Sequence, residues 1–363
     1  MELEKQLNSE IAIINRTLAA FGVDAGTMPR WTTIAGSSFV AYGLKLGATQ
    51  RISGVSALLP ELSERISAAR QTPTPVRLRT MPIALEVMHP TPRPLDWRGA
   101  VLRIGANRLL AGRNYSATPA QDCVIDLDAK PHVLVVGTTG SGKSTVLRMM
   151  LASLAYNMPP DALRLVLVDL KNATLPPFAN LPHVERLAYM PDDAQRAIGL
   201  VHAELQRRIR IGGAQRWQRL LLAIDELAQI DSHALNLLGS ILSLGREMNI
   251  NVVAATQHPT TKLIGNKANY PVRLVGQVVD ADTAEIAAGR KQSGAWQLPG
   301  QGAFLYVDGP TLDRIQAYNL TADSAANLIA AVADKWSAAP LAPVRTSVEP
   351  AIPAPAPAEI PVV

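Results

Sequence analysis

Leu3, Leu7, Ile11, Ile14 and Leu18 recur at three- and four-residue spacing, which predicts an amphipathic first helix whose apolar face the rest of the chain must cover. A strand-like stretch from Phe39 to Leu46 follows, then a second amphipathic helix through Leu58, Leu59, Leu62 and Ile66. After it the run VRLRTMPIALEV reads as strand as far as Val87. These elements make a small α/β unit. The proline-rich HPTPRPLDWRG, His89 to Gly99, reads as a connector, and the boundary is placed near residue 98, giving units 1–98 and 99–336. From there short aliphatic runs alternate with helical periodicity. HVLVV leads into a helix carrying Val146, Leu147, Met150, Leu151 and Leu154. The strand RLVLVD (Arg164 to Asp169), a helix over Asp192 to Arg210, the strand LLLAID (Leu220 to Asp225), a helix from Leu235 to Arg246 and the strand NVVAATQ (Asn251 to Gln257) come next. A strand near Val272 to Val279 and a late one at GAFLYVD complete the series, which the pattern leaves joined to the first unit by a transitional region. Strands alternating with helices predict a parallel sheet with helices on both faces. Residues 337–363 are rich in Pro and Ala and too poor in bulky side chains for a core, so a disordered extension is expected there.

Composition narrows the setting. Apolar residues make up 48% of the 363, enough for a substantial core, and no apolar run approaches the ~18 residues needed to cross a bilayer. With MELEKQ at the start and no apolar segment behind it, neither membrane insertion nor export is expected. Cys123 alone cannot build a disulfide framework, and the six histidines show no metal-site spacing, so the expected location is cytoplasmic. Lys and Arg exceed Asp and Glu by 35 to 30, a balance compatible with an acidic polymer as partner.

The chemistry concentrates in HVLVVGTTGSGKST. An aliphatic strand runs into Gly-x-x-x-x-Gly-Lys-Ser and out into a helix, the P-loop pattern of nucleoside triphosphate sites. Gly137, Thr138, Thr139, Gly140, Ser141, Gly142, Lys143, Ser144 and Thr145 form the candidate phosphate cradle at a helix N-terminus. Lys143 is placed to reach the β and γ phosphates, and Ser144 to hold Mg²⁺. LLLAIDE delivers two carboxylates at one strand end: Asp225 for the metal's water shell, Glu226 to take a proton from the attacking water. Gln257 ends the next strand and is the candidate γ-phosphate sensor. This order suits a RecA-like P-loop ATPase domain with a parallel-dominated sheet.

The chain KPHVLVVGTTGSGKS, RLVLVDLK, NLPHV, LLLAIDELAQI, LGREMNINVVAATQHP, NYPVRLVGQVV and LPGQGAFLY resembles the FtsK/SpoIIIE-type DNA translocases segment by segment and in their order. LKLGATQRISGVSALLPELSERI is similar to the smaller domain that precedes the motor in that family. The resemblance implies a homohexameric ring that passes double-stranded DNA through its pore, with ATP and Mg²⁺ bound between neighbouring subunits. It also implies a cation supplied in trans: Arg246 is the first candidate for this arginine finger and Arg273 the second, with Arg290 a further residue expected to face a subunit boundary or the nucleotide. Departures are visible. His258 stands where an arginine is usual, the long insertion before LLLAIDE is missing, and Val279-Asp280-Ala281-Asp282-Thr283 carries acids where bases often grip DNA. The cluster Arg207, Arg208, Arg210, Arg216 and Arg219 around Trp217 could track a phosphate backbone, or could simply complement a helix C-terminus. Type VII-like protein export, run by motors of the same family, is the alternative function, and the tail could recruit a partner protein.

Overall fold

The computed structural model describes residues 2–29, 32–33, 39–80, 83–91, 95–114, 121–212, 217–265 and 267–337. The expected tail lies outside them except for Ser337.

The first elements are helix α1 (Glu2–Ala20), strands β1 (Ala25–Thr27), β2 (Thr32–Thr33) and β3 (Phe39–Leu46), helices α2 (Ile52–Ala57) and α3 (Leu59–Arg70), and strands β4 (Val76–Thr80) and β5 (Ile83–Met88). They make an antiparallel sheet in the order β1-β3-β5-β4, with β2 on β3. Leu7, Ile14 and Leu18 of α1 and Leu62 and Ile66 of α3 close over Val40, Tyr42, Leu44, Leu85 and Val87, so the amphipathic spacing of both helices is satisfied in one core. VRLRTMPIALEV is not one strand. It pairs with itself as β4 and β5, Leu78 opposite Leu85. Inside this core α1 carries a buried acid: Glu10, 1% exposed, accepts from Arg70 Nε and Nη2, both at 2.7 Å, and from the Tyr42 hydroxyl at 2.5 Å. Two-pronged pairing meets the desolvation cost that a lone buried carboxylate could not survive.

The remainder is α4 (Arg98–Arg103), β6 (Arg108–Asn114), β7 (Gln121–Asp126), β8 (His132–Val136), α5 (Lys143–Asn157), β9 (Leu163–Val168), β10 (Val184–Ala188), α6 (Pro191–Ile211), β11 (Arg219–Asp225), α7 (Ser232–Leu244), β12 (Ile250–Thr256), α8 (Thr261–Ile264), β13 (Val272–Val275), α9 (Ala281–Ala288), β14 (Ala303–Asp308), β15 (Thr311–Ala317) and α10 (Ala322–Trp336). One sheet takes all ten of these strands, ordered β10-β9-β11-β12-β8-β13-β14-β15-β6-β7. From β10 to β13 every pairing is parallel; from β13 to β7 every pairing is antiparallel. The parallel half is the expected one. Every residue of β8, β11, β12 and β13 is buried, as strands covered on both faces require. Helices α5 and α10 pack on one face, and α6, α7 and α9 on the other.

Of the antiparallel half, the hydrophobic pattern showed only the late strand at GAFLYVD, which is β14; β15, β6 and β7 were not visible in it. The region read as transitional folds as the β6–β7 hairpin and joins the large sheet through β15, where Ile315 pairs with Asn114 and Ala317 with Gly112.

Two histidines sit inside the sheet without charge. His132, 1% exposed, accepts the Val252 N–H on Nδ1 at 3.1 Å, and burial pushes its pKa down to about 4. Burial also lowers His183, which faces Met158 O at 2.8 Å. In the unfolded chain both take up a proton near the ordinary pKa of about 6.5. Their contribution is therefore complete above that value and is lost as pH falls towards the folded pKa, by up to about 1.4 kcal/mol per pH unit per histidine. Urea unfolding at pH 7.5 and 5.0 should show this loss, and His132→Asn, which keeps an acceptor for Val252, should remove about one proton from the slope.

Candidate nucleotide site

The site forms where the carboxyl ends of the parallel strands meet α5. Past β8 the chain must turn sharply enough to aim successive N–H groups inward, and glycine supplies the conformations: Gly140 and Gly142 lie at φ +80° and +98°. A Cβ on Gly137 would come within 2.4 Å of Ser141 Oγ. The loop is held from outside. Thr138 N–H and hydroxyl both donate to Gln277 O, at 2.8 and 3.1 Å, and Gly276 N–H donates to Val136 O at 2.7 Å. Lys143, Ser144 and Thr145 then form the first turn of α5, whose free N–H groups and dipole favour an anion.

Strand order brings the acids in. β12 lies between β8 and β11, with Thr256 beside Val136 on one side and Ala255 beside Asp225 on the other. Asp225, 6% exposed, has its pKa raised by burial, against the opposing pull of the Thr174 hydroxyl and Lys143. Burial likewise lowers Lys143, with Asp225 and Glu226 opposing it. Thr174 Oγ1 also lies within hydrogen-bond distance of Ser144 Oγ, at 3.0 Å, so its hydroxyl links Ser144 to Asp225. Hard oxygen donors at a helix N-terminus that awaits phosphates are the donor set Mg²⁺ prefers. Thr174 is a site residue that the sequence reading missed. Its loop is set by Asp169, wholly buried, whose Oδ2 accepts the N–H groups of Ala173, Thr174 and Leu175 at 2.8–3.0 Å. The only signal was an acid ending the strand before it.

Glu226 is held in a costly backbone conformation, φ +141°, which aims its carboxylate at the end of β12. Oε1 accepts from Thr256 Oγ1 at 2.8 Å and Gln257 N–H at 3.1 Å; Oε2 accepts from Lys171 Nζ at 3.0 Å. Burial opposes its ionisation, but these hydrogen bonds and the Lys171 charge outweigh it and lower the pKa. Gln257 reaches back to the P-loop, its Oε1 accepting from Thr139 Oγ1 at 3.1 Å. A cleft of about 450 Å³ opens between the P-loop, residues 257–260 and the start of α9. Lys143, Ser144, Asp225, Glu226 and Gln257, scattered over more than a hundred residues, thus share one end of the sheet.

The arginines do not join them. Arg246 is exposed and precedes β12, while Gln257 follows it; at ~3.3 Å per residue the strand's 7 residues put Arg246 about 20 Å away, at the opposite end of the sheet. Arg273 is 4% exposed and donates to Ile286 O and Ala287 O, at 3.3 and 3.1 Å, near the C-terminus of α9. Arg290 donates to Pro310 O at 3.0 Å. The acids at 280 and 282 have local work: Asp280 caps α9 by accepting Thr283 N–H at 2.7 Å, and Asp282 lies in the helix's first turn.

The basic cluster also divides. Arg208 is 1% exposed and bonds Glu204 at 2.8 Å and Met248 O at 2.6 Å. Arg219 is 3% exposed and bonds Asn107 at 3.1 Å, together with Asn251 and Asp128. Both are interior braces rather than surface charges. Arg207 and Arg210 remain on the surface, Arg207 paired with Glu204 and lying 5.1 Å from the Trp217 ring; Arg216 lies outside the described residues. Against burial, Arg207 and Arg208 draw the Glu204 carboxyl down to about 2.

A P-loop after the first parallel strand, an acid pair on a strand one place removed, and a polar sensor on the strand between define a P-loop ATPase of the RecA-like branch. Residues 116–260 match the FtsK/SpoIIIE family. It is 25% identical to the DNA translocase FtsK of Borreliella burgdorferi over 87% of this chain and 44% of that protein. The corresponding figures for the DNA translocase FtsK of Helicobacter pylori strain J99 are 29%, 57% and 27%. The chain thus spans less than half the length of these curated relatives. In fold it is similar to the pCW3 conjugation coupling protein TcpA bound to ATPγS (TM-score 0.59, 19% identity, covering 89% of this chain and 99% of that one). It is also similar in fold to the cytoplasmic domain of the type VII secretion ATPase EccC of Thermomonospora curvata (TM-score 0.54, 22% identity, 69% and 32%).

Glu226→Gln is expected to keep MgATP binding and lower turnover at least about a hundredfold, whereas Lys143→Ala should lose binding itself. Thr174→Val should raise the Mg²⁺ concentration needed for half-maximal turnover by about tenfold, the usual cost of removing a group that orients a metal's partners. Calorimetry with a nonhydrolysable analogue and a phosphate-release assay separate these effects.

Proposed function

We propose that the protein is an ATP-driven double-stranded DNA translocase that works as a homohexameric ring, with residues 99–336 as the motor, 1–98 as an accessory unit and 337–363 as a segment available to a recruiting partner. One observation carries the reading: Lys143, Ser144, Asp225, Glu226 and Gln257 stand at one end of the sheet, and the exposed Arg246 at the other. In a head-to-tail ring that second end is free to face a neighbour's first, so each subunit can offer Arg246 to charge developing on the next subunit's γ-phosphate. The family's DNA translocases support the choice of duplex DNA as substrate.

The roles follow from the chemistry. The backbone of residues 137–142 and Lys143 hold the triphosphate, and Ser144 and Asp225, oriented by Thr174, would hold Mg²⁺, which neutralises phosphate charge when bound. Glu226 takes the proton of the attacking water, and Gln257, its Oε1 held by the Thr139 hydroxyl, has its amide N–H groups left to sense the γ-phosphate. Arg273, turned inward, is the weaker choice for a trans cation than Arg246. Arg207 and Arg210 are the surface arginines available to DNA phosphates from the cluster around Trp217.

Duplex DNA should therefore stimulate ATP hydrolysis several-fold at low salt, with a stimulation that falls as salt rises because phosphate neutralisation releases counterions. A chain indifferent to duplex DNA but accelerated by polypeptide would replace this reading with protein export, which the acids at 280 and 282 do not favour now that Asp280 is a helix cap. Assembly has its own test. Arg246→Ala and Glu226→Gln chains, each inactive, should recover part of the parent's turnover when mixed, since some interfaces then carry both native groups. No recovery at any ratio, with co-assembly shown by light scattering, would remove Arg246 from the neighbour's site.

A further inference from the structure

β15 touches the P-loop through a single turn. Gln316 Nε2 donates to Gln301 O and Ala317 N–H to Gly302 O, both at 2.7 Å. That turn passes the grip on: Gln301 N–H donates to Gly140 O at 3.0 Å and Gly302 N–H to Ser141 O at 2.8 Å. The peptide unit is planar, so fixing the Ser141 carbonyl also fixes the direction of the Gly142 N–H, one of the groups a phosphate must meet. The packing leaves no slack. A Cβ on Gly142 would stand 2.8 Å from Gly302 Cα, and one on Gly302, at φ +86°, 2.7 Å from Gln316 Nε2. Behind the strand, a Cβ on Gly112 of β6 would meet Gln316 O at 2.1 Å.

Two residues earlier on the same side of β15, Arg314 donates to Glu86 of β5, in the N-terminal sheet, and lies 6.0 Å from the Phe39 ring of β3. Glu86 is 1% exposed and has Arg79 at 3.6 Å as a second cation. One short strand therefore holds the N-terminal sheet with one side chain and the P-loop's clasp with the next on that side.

We propose that β15 couples the N-terminal sheet to the P-loop: Glu86 seats Arg314, Gln316 and Ala317 set the turn at Gly300–Gly302, and that turn fixes the P-loop carbonyls, so the seating of the N-terminal sheet tunes nucleotide affinity. Arg314 and Gln316 are positioning residues in this account. Neither is among the groups assigned to hold nucleotide or to act in its hydrolysis.

The test is calorimetric titration of the full chain with a nonhydrolysable ATP analogue and Mg²⁺, for the parent, Arg314→Met, Gln316→Leu and the double variant, beside steady-state hydrolysis. Arg314→Met leaves Arg79 on Glu86, so the buried acid keeps a cation. Each single variant should raise Kd by about fivefold, within the range for residues that carry coupling between sites. The double variant should be no weaker than the worse single, because both act through one strand. KM for ATP should rise in parallel while kcat stays within about twofold, since the coupling acts on binding rather than on chemistry. Arg314→Lys, which keeps the charge, should fall between parent and Arg314→Met, and serves the same comparison if the methionine variant does not fold. Folded Arg314→Met with the parent's Kd, or independent multiplying effects in the double variant, would overturn the coupling. The proposal rests on the P-loop reading, and the two fail differently: a parent chain that binds no analogue sinks the site itself, whereas normal binding by Arg314→Met sinks only the link.

Discussion

The nucleotide site depends on one strand insertion. β12 lies between β8 and β11, and this alone puts the Thr256 hydroxyl and the Gln257 N–H against the Glu226 carboxylate while Gln257 reaches the P-loop at Thr139. If β8 and β11 were neighbours instead, the acid pair would sit one strand spacing, about 4.8 Å, nearer the phosphates with no polar residue between. The gap leaves room for a water and the groups that orient it. The φ of +141° at Glu226 shows that the chain accepts local strain to keep the carboxylate there, which the hydrogen bonds from β12 and Lys171 help to offset.

The same economy governs the buried charges. Asp169, Arg208, Arg219 and Glu10 are all nearly excluded from water, and each organises backbone or a second charge. Asp169 shapes the loop carrying Thr174; Arg208 ties α6 to the residues leading into β12; Arg219 pulls Asn107, Asp128 and Asn251 together at the start of the parallel strands. Removing one partner of such a group strands the other in a medium that cannot solvate it. Charge that looked like surface in the chain is thereby internal framework, and the surface available to an acidic polymer is smaller than the composition suggests.

The antiparallel half of the large sheet gives the P-loop its outer support. β13, β14 and β15 extend the parallel strands beyond β8, and the turn before β14 closes on the loop's backbone through glycines that leave no room for a side chain. β15 then reaches Glu86. Site, extension and N-terminal sheet are in this way joined by hydrogen bonds, not merely adjacent.

What the chain determined by itself was local. The glycine spacing of the P-loop, the aliphatic runs that end in Asp225-Glu226 and Gln257, and the helical periodicity of α1, α3, α5 and α6 are each written within one short contiguous segment, because backbone conformation and the burial of one face are decided at that range. The parallel core of the sheet was legible for that reason, and so were the candidate positions Lys143, Ser144, Asp225, Glu226 and Gln257 that the fold brings to one end of it. Four things were decided only by the tertiary structure. VRLRTMPIALEV became a hairpin because β5 had β3 to pair with on its other edge. β6 and β7 joined the large sheet because β15 offered them an edge, a pairing some two hundred residues apart that no local pattern encodes. Thr174 entered the site through a loop bent by Asp169. The arginines sorted themselves, Arg208, Arg219 and Arg273 inward and Arg246 outward, because a guanidinium leaves water only where buried carbonyls and carboxylates replace its hydration, and only the folded surroundings say where those are.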